Sequence, residues 1–105
     1  MATIAHISAE GPILGCSNSL LWGIAERALT YAQDRDFTVA LEESEWLGDI
    51  DLYRFSAECR LIFAQAADVL ADEVAARSDE FPEYVARVRN IASEVRKTIE
   101  KESNP

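Results

Sequence analysis

The sequence predicts an all-α domain, an irregular four-helix bundle preceded by a short extended N-terminal arm. Three observations carry that prediction. From 51 to 81 the chain contains no Gly and no Pro. Within that run apolar residues recur at steps of three and four, the spacing of one helix face. Polar breaks with capping residues separate this run from shorter apolar-periodic stretches on either side.

The arm covers 1–17. Ile4 and Ile7 alternate loosely with small or polar neighbours, which fits a short strand or an extended segment. Ala9-Glu10-Gly11-Pro12 reads as a turn. Ser17, Asn18 and Ser19 then offer three successive N-cap oxygens before an apolar run. A first helix over 19–34 would bury Leu21, Ile24, Ala25, Ala28, Tyr31 and Ala32. Gly23 costs this helix about 1 kcal/mol against Ala, and it would admit a closely approaching neighbour. Trp22 falls on another face with Glu26 and Leu29, a candidate for contact with a partner.

Asp34-Arg35-Asp36 is a polar break. Phe37, Val39 and Leu41 alternate as in a strand, yet Thr38 can cap a helix and Glu42, Glu43 and Glu45 favour one. Gly48 stands where a glycine would close it. These signals predict a second helix over 38–47. The central helix, 51–77, takes Asp49 and Asp51 as its caps. Leu52, Phe55, Cys59, Ile62, Ala66 and Val69 form one apolar stripe, and Phe63, Ala67, Leu70 and Val74 a second beside it. Glu58, Gln65, Asp68 and Asp72 form the wet, acidic back. Ser78 is a candidate cap and Pro82 suits the first turn of a fourth helix over 82–101. Tyr84, Val88, Ile91, Val95 and Ile99 form its buried stripe, and Arg96, Lys97 and Lys101 complement its C-terminal dipole. The short connector sets it antiparallel to the central helix. The end from Ser103 to Pro105 is expected to fray.

The 105 residues suit a single domain and carry a net charge of −9. The excess is localised: from Asp34 to Phe81, thirteen acids face four bases. Such a charge repels nucleic acid and anionic membrane and favours a basic protein partner. No run of apolar residues is long enough to cross a membrane. No signal-peptide pattern appears, because the first fifteen residues hold no Lys or Arg and Glu10-Gly11-Pro12 interrupts them. Cys16 and Cys59 lack metal spacing, and reduced thiols in a cytoplasmic protein are the expectation.

Catalytic, cofactor and metal patterns are absent from the sequence: there is no HExxH, Walker loop, G-x-S-x-G or GxGxxG. His6 is the only histidine. Cys16 precedes a predicted helix N-terminus, where a dipole lowers a thiol pKa, so a Cys16 nucleophile paired with His6 is the enzymatic alternative. Glu42, Glu43, Glu45, Asp49 and Asp51 lack the spaced oxygens of a calcium loop. With Trp46 and Tyr53 they instead form an acidic surface carrying aromatic anchors, the composition that meets a basic partner.

Two local resemblances accompany this reading. Tyr31, Asp36-Phe37 and Ala40-Leu41 resemble the helix-turn-helix of a single tetratricopeptide repeat, with Arg27 and Ser44 departing from its pattern. Trp46-Leu47-Gly48 resembles the Trp-x-Gly motif of the small helical-hairpin proteins of type VII secretion. That family's Tyr-x-x-x-Asp/Glu signal is lacking, since Tyr84 is followed four places on by Val88. In size, charge and helicity the chain is similar to immunity proteins that neutralise basic nuclease toxins. The leading expectation is a non-enzymatic acidic protein that neutralises or chaperones a basic protein partner. The alternative is a secretion-associated or scaffold protein that forms a homodimer through apolar helix faces.

Overall fold

The computed structural model describes residues 2–6, 13–47 and 49–103, with side chains from 20 onward except at 45, 46, 49 and 103. Four α-helices carry the fold: α1 (Asn18–Tyr31), α2 (Arg35–Leu47), α3 (Ala57–Arg77) and α4 (Pro82–Ser103). The N-terminal arm is extended, as the sequence predicts. It supplies β1 (Ala2–His6) and β2 (Ile13–Ser17) to a small sheet that β3 (Asp49–Asp51) completes. β1 lies in the middle, antiparallel to β2 and parallel to β3. The turn predicted at 9–12, the closing role of Gly48 and the fraying of 104 and 105 lie outside the described residues, while Ser103, also expected to fray, is the last residue of α4.

α1 ends three residues short of its predicted limit because Asp34 serves the next helix. Its Oδ1 accepts the Phe37 amide at 2.9 Å, and its carbonyl accepts the Thr38 amide at 3.0 Å. Asp34 is thus the cap of α2, and Thr38 lies inside the first turn. Ser44 is buried in α2 and donates its hydroxyl to the Leu41 carbonyl at 2.6 Å, which satisfies its one polar group without a partner helix.

The central helix starts later than predicted. Asp49–Asp51 is a strand and Leu52–Arg54 a 3-10 turn, η1. Asp51 stands before that turn but makes no side-chain cap. Ser56 is the cap of α3: its backbone is extended and its Oγ accepts the Cys59 amide at 3.2 Å. Polar–apolar alternation in Asp49-Ile50-Asp51 suits a strand with Ile50 turned into the core, where it is buried.

α3 is the hub. It makes its most extensive interface with α4 and its next with α1, which in turn holds α2. Phe63, Ala64, Ala66, Ala67, Leu70 and Ala71 of α3 are buried with Leu20, Leu21, Ile24 and Ala28 of α1 and Val88, Ile91, Ala92 and Val95 of α4. Burial of each large side chain contributes about 1.5–3 kcal/mol. At Gly23 an added Cβ would lie 3.1 Å from Leu70 Cδ2, so the glycine does permit the close α1–α3 approach. Tyr31, expected inside, is 53% exposed because α1 ends there and the core does not extend past it. Leu52 and Phe37 reach the core from η1 and α2, and the Phe37 and Phe55 rings meet at 5.2 Å, tilted by 57°.

Ion pairs set the register of the α3–α4 hairpin. Arg60 meets Glu102 at 2.7 Å, Asp68 meets Arg96 at 2.6 Å and Asp72 meets Arg89 at 3.0 Å. The positions rise along α3 as they fall along α4, so the helices are antiparallel. Arg27 of α1 pairs with Glu73 of α3, its Nε donating at 2.7 Å. The acidic back of α3 is therefore largely matched by arginines of the same chain.

Candidate acidic groove

Arginines of α1 and α4 pair with Asp68, Asp72 and Glu73 of α3, whereas the described acids of α2 stand among those left without an ion pair. Glu42 and Glu43 are exposed, and neither has an ion pair among the described residues. Ala40, Glu43 and Leu47 lie at i, i+3 and i+7, on one face of α2. That face forms one wall of a shallow groove of about 230 Å³. Ile50 and Asp51 of β3, Arg54 of η1 and Phe55 form the other. Two predicted interface acids from different elements, Glu43 and Asp51, thus line the same groove. Leu47, 56% exposed, is its most accessible apolar side chain.

The remaining predicted residues divide. Glu42 is exposed on α2 but does not line the groove. Tyr53 is half-buried in η1, next to the groove residue Arg54. Glu45 and Trp46 lie in the last turn of α2 and Asp49 opens β3, with side chains outside the described residues.

Arg54 was not anticipated as part of this surface. Its Nε lies 3.5 Å from Asp51 Oδ2, and its guanidinium sits 5.8 Å above the Tyr53 ring. The hydrogen bond with Tyr53, followed by the charge of its neighbours, pushes its pKa above an already high ordinary value. The side chain is 68% exposed. A cation therefore already occupies the acidic rim, held by a solvent-screened pair of small strength. Its place three residues after Asp51 was the available signal, once η1 is read as a helical turn.

Arg60 is the second unanticipated residue. It is 5% exposed at the start of α3, with Nη2 on Glu102 and Nε donating to the Ser56 carbonyl at 3.4 Å. Nη1 is buried without a hydrogen-bond acceptor. The spacing of Arg60, Ala64, Ala67 and Ala71 is that of a buried stripe, and it marks this arginine as inward-facing. The Arg60 hydrogen bond holds the Glu102 carboxyl below the ordinary carboxylate range.

The proposed thiol pair falls on the arm. The β1–β2 ladder sets Cys16 opposite Thr3 and His6 opposite Ile13, three positions apart along the ladder. Cys59 is a free, buried thiol, so it forms no disulfide with Cys16. Among the described residues no group of three or more His, Cys, Asp and Glu is placed to hold a metal ion, and no helix is long and apolar enough to cross a membrane. Compared with models of known families, with curated proteins and with solved structures, the chain matches none.

Proposed function

We propose that this protein is a non-enzymatic acidic binding protein that neutralises or chaperones a basic protein partner, and that it engages that partner through the α2–η1 groove. One observation carries the reading. Glu43 and Asp51 line one groove together with the apolar Ala40, Leu47, Ile50 and Phe55 and with Arg54, whereas Asp68, Asp72 and Glu73 of α3 are drawn into internal pairs. The apolar wall supplies contact area and the acids supply steering for a Lys- or Arg-bearing surface. Glu42, Glu45 and Asp49 extend the negative field, and Trp46 and Tyr53 are the aromatic anchors of this proposal.

The experiment is affinity capture of the tagged protein from its native lysate, washed at low and then at high salt, in parallel with a Glu42→Lys/Glu43→Lys variant. A stoichiometric basic protein held by the wild type at low salt, weakened by salt and lost from the variant supports the reading. A partner held equally by both proteins removes the groove from the interface. Recovery of the protein alone removes the binding function.

A further inference from the structure

We infer that the end of the hairpin where α3 begins and α4 ends is an acid-released latch, fastened by Arg60 and Glu102, whose opening frees the last turn of α4 while the rest of the seam stays closed. Two helix stripes meet there. Along α3, Phe63, Ala64, Ala67, Leu70 and Ala71 are buried, and Arg60 precedes them on the same stripe. Along α4, Val88, Ile91, Ala92 and Val95 are buried, Ile99 packs against the same core, and Glu102 follows three positions on. Each apolar stripe therefore ends in a charged side chain, and the two charges meet at 2.7 Å.

The two partners are unequal. Arg60 is buried, whereas the Glu102 side chain is about half exposed. The Arg60 Nε reaches the Ser56 carbonyl only at 3.4 Å, and Nη1 has no acceptor, so Glu102 is the one carboxylate that holds this guanidinium. Once that carboxylate is neutral, a buried cation is left without a counterion. The hairpin can relieve this by admitting water at its end. Glu102 lies in the last turn of α4, where the carbonyls lack intrahelical partners and local opening takes the least free energy. The other two pairs of the seam differ: Arg89 and Arg96 are already well exposed, so losing Asp72 or Asp68 strands no buried charge.

Acid is the trigger because Glu102 is the partner that titrates. The hydrogen bond from Arg60 holds its carboxyl below the ordinary range, against the effect of burial and with the help of the same arginine's charge. The closed latch is therefore favoured while Glu102 is ionised and is lost as pH falls through its closed-state value. Within a turn of the pair, the other charged groups are Glu58 on α3 and Glu100 and Lys101 on α4, all exposed. Helix α1, which also packs on α3, brings Glu26, exposed, and Arg27, held by Glu73.

Amide hydrogen exchange of the full chain, read by NMR from about pH 7 to about pH 3 and corrected for the intrinsic exchange rates, tests this, since a glutamate titrates within that range. In the wild type, protection of the amides of 99–102 should fall several-fold toward the acid end while Val88, Ile91 and Val95 keep theirs. Glu102→Gln should show the lowered protection already at neutral pH. Arg60→Met, which leaves no buried cation to hydrate, should keep the last turn protected across the range. A last turn that loses protection in Arg60→Met as it does in the wild type is ordinary fraying and overturns the inference. So does a wild type whose last turn stays protected, or loses protection only together with Val88, Ile91 and Val95.

Discussion

Arg54 lies with its Nε 3.5 Å from Asp51 Oδ2, on the rim of the groove that Glu43 also lines. The acidic surface therefore carries its own cation. An arriving basic side chain must share Asp51 with Arg54 or displace it. The pair is exposed and screened by solvent, so its displacement costs little.

Removing this cation should strengthen the field that steers a basic partner. Arg54→Gln is expected to raise the association rate with that partner a few-fold at low salt and to have little effect at high salt. Stopped-flow or surface-based kinetics at two ionic strengths checks this, with thermal unfolding as the control for fold. An unchanged rate at low salt would place the contact away from the groove.

The Arg60–Glu102 pair should be asymmetric. Glu102→Ala leaves a buried guanidinium without its carboxylate and should cost about 1–3 kcal/mol. Arg60→Met removes the poorly satisfied charge and leaves Glu102, 49% exposed, to water; it should cost less. Urea unfolding of the two variants gives the comparison.

The same pair gives stability a pH dependence. Glu102 has a folded pKa below its unfolded value. Its contribution is therefore fully present above the unfolded value and is lost as pH falls through the folded one. The unfolded value of a glutamate is about 4.3, so the loss begins near that pH and continues below it. Glu102→Gln should flatten the stability profile in this acidic range and leave its slope near neutrality unchanged. The effect is reduced by solvent screening of the exposed carboxylate.

Helix α3 should respond to Ser56 and not to Asp51 as its cap. Ser56→Ala is expected to cost about 1 kcal/mol, the ordinary value for a lost N-cap. Asp51 makes no side-chain cap, so Asp51→Ala should change stability less than Ser56→Ala does. Equal losses in denaturant unfolding would contradict a helix that begins at Ala57.

At Gly23 the void is filled by Leu70, whose Cδ2 would lie 3.1 Å from a new Cβ. Gly23→Val carries two further methyl groups toward that buried leucine. It should destabilise the chain by about 1–3 kcal/mol through overpacking. Calorimetric unfolding of the variant, alone and with Leu70→Ala, shows whether the clash is the cause: the second change should recover part of the loss.

Much of the fold was legible because helices write their burial at short range. Val88, Ile91 and Val95 repeat at three and four, and all three are buried. A break between the first two helices was legible in the polar Asp34-Arg35-Asp36, but it was read two residues late, because Asp34 and not Thr38 caps α2. The β3 strand was not legible, because its three residues are too few for their alternation to stand out and they pair with β1, more than forty positions earlier. That missed pairing moved the start of α3 from Asp51 to Ala57. Glu43 was legible as an acid on a helix, but its placement opposite Asp51 depends on how the chain returns after α2. Arg60 went unread because hydrophobic patterning treats a cation as surface, whereas it sits inside the hairpin; Arg54 is on the surface, and its contact with Asp51 depends on η1, which was not foreseen.

The measurement that bears most directly on the acidic groove is the association rate of the wild type and Glu43→Lys with the captured basic partner, at low and high salt. The groove predicts slower association for Glu43→Lys at low salt and convergence of the two rates as salt screens the field. Equal rates at low salt would contradict it.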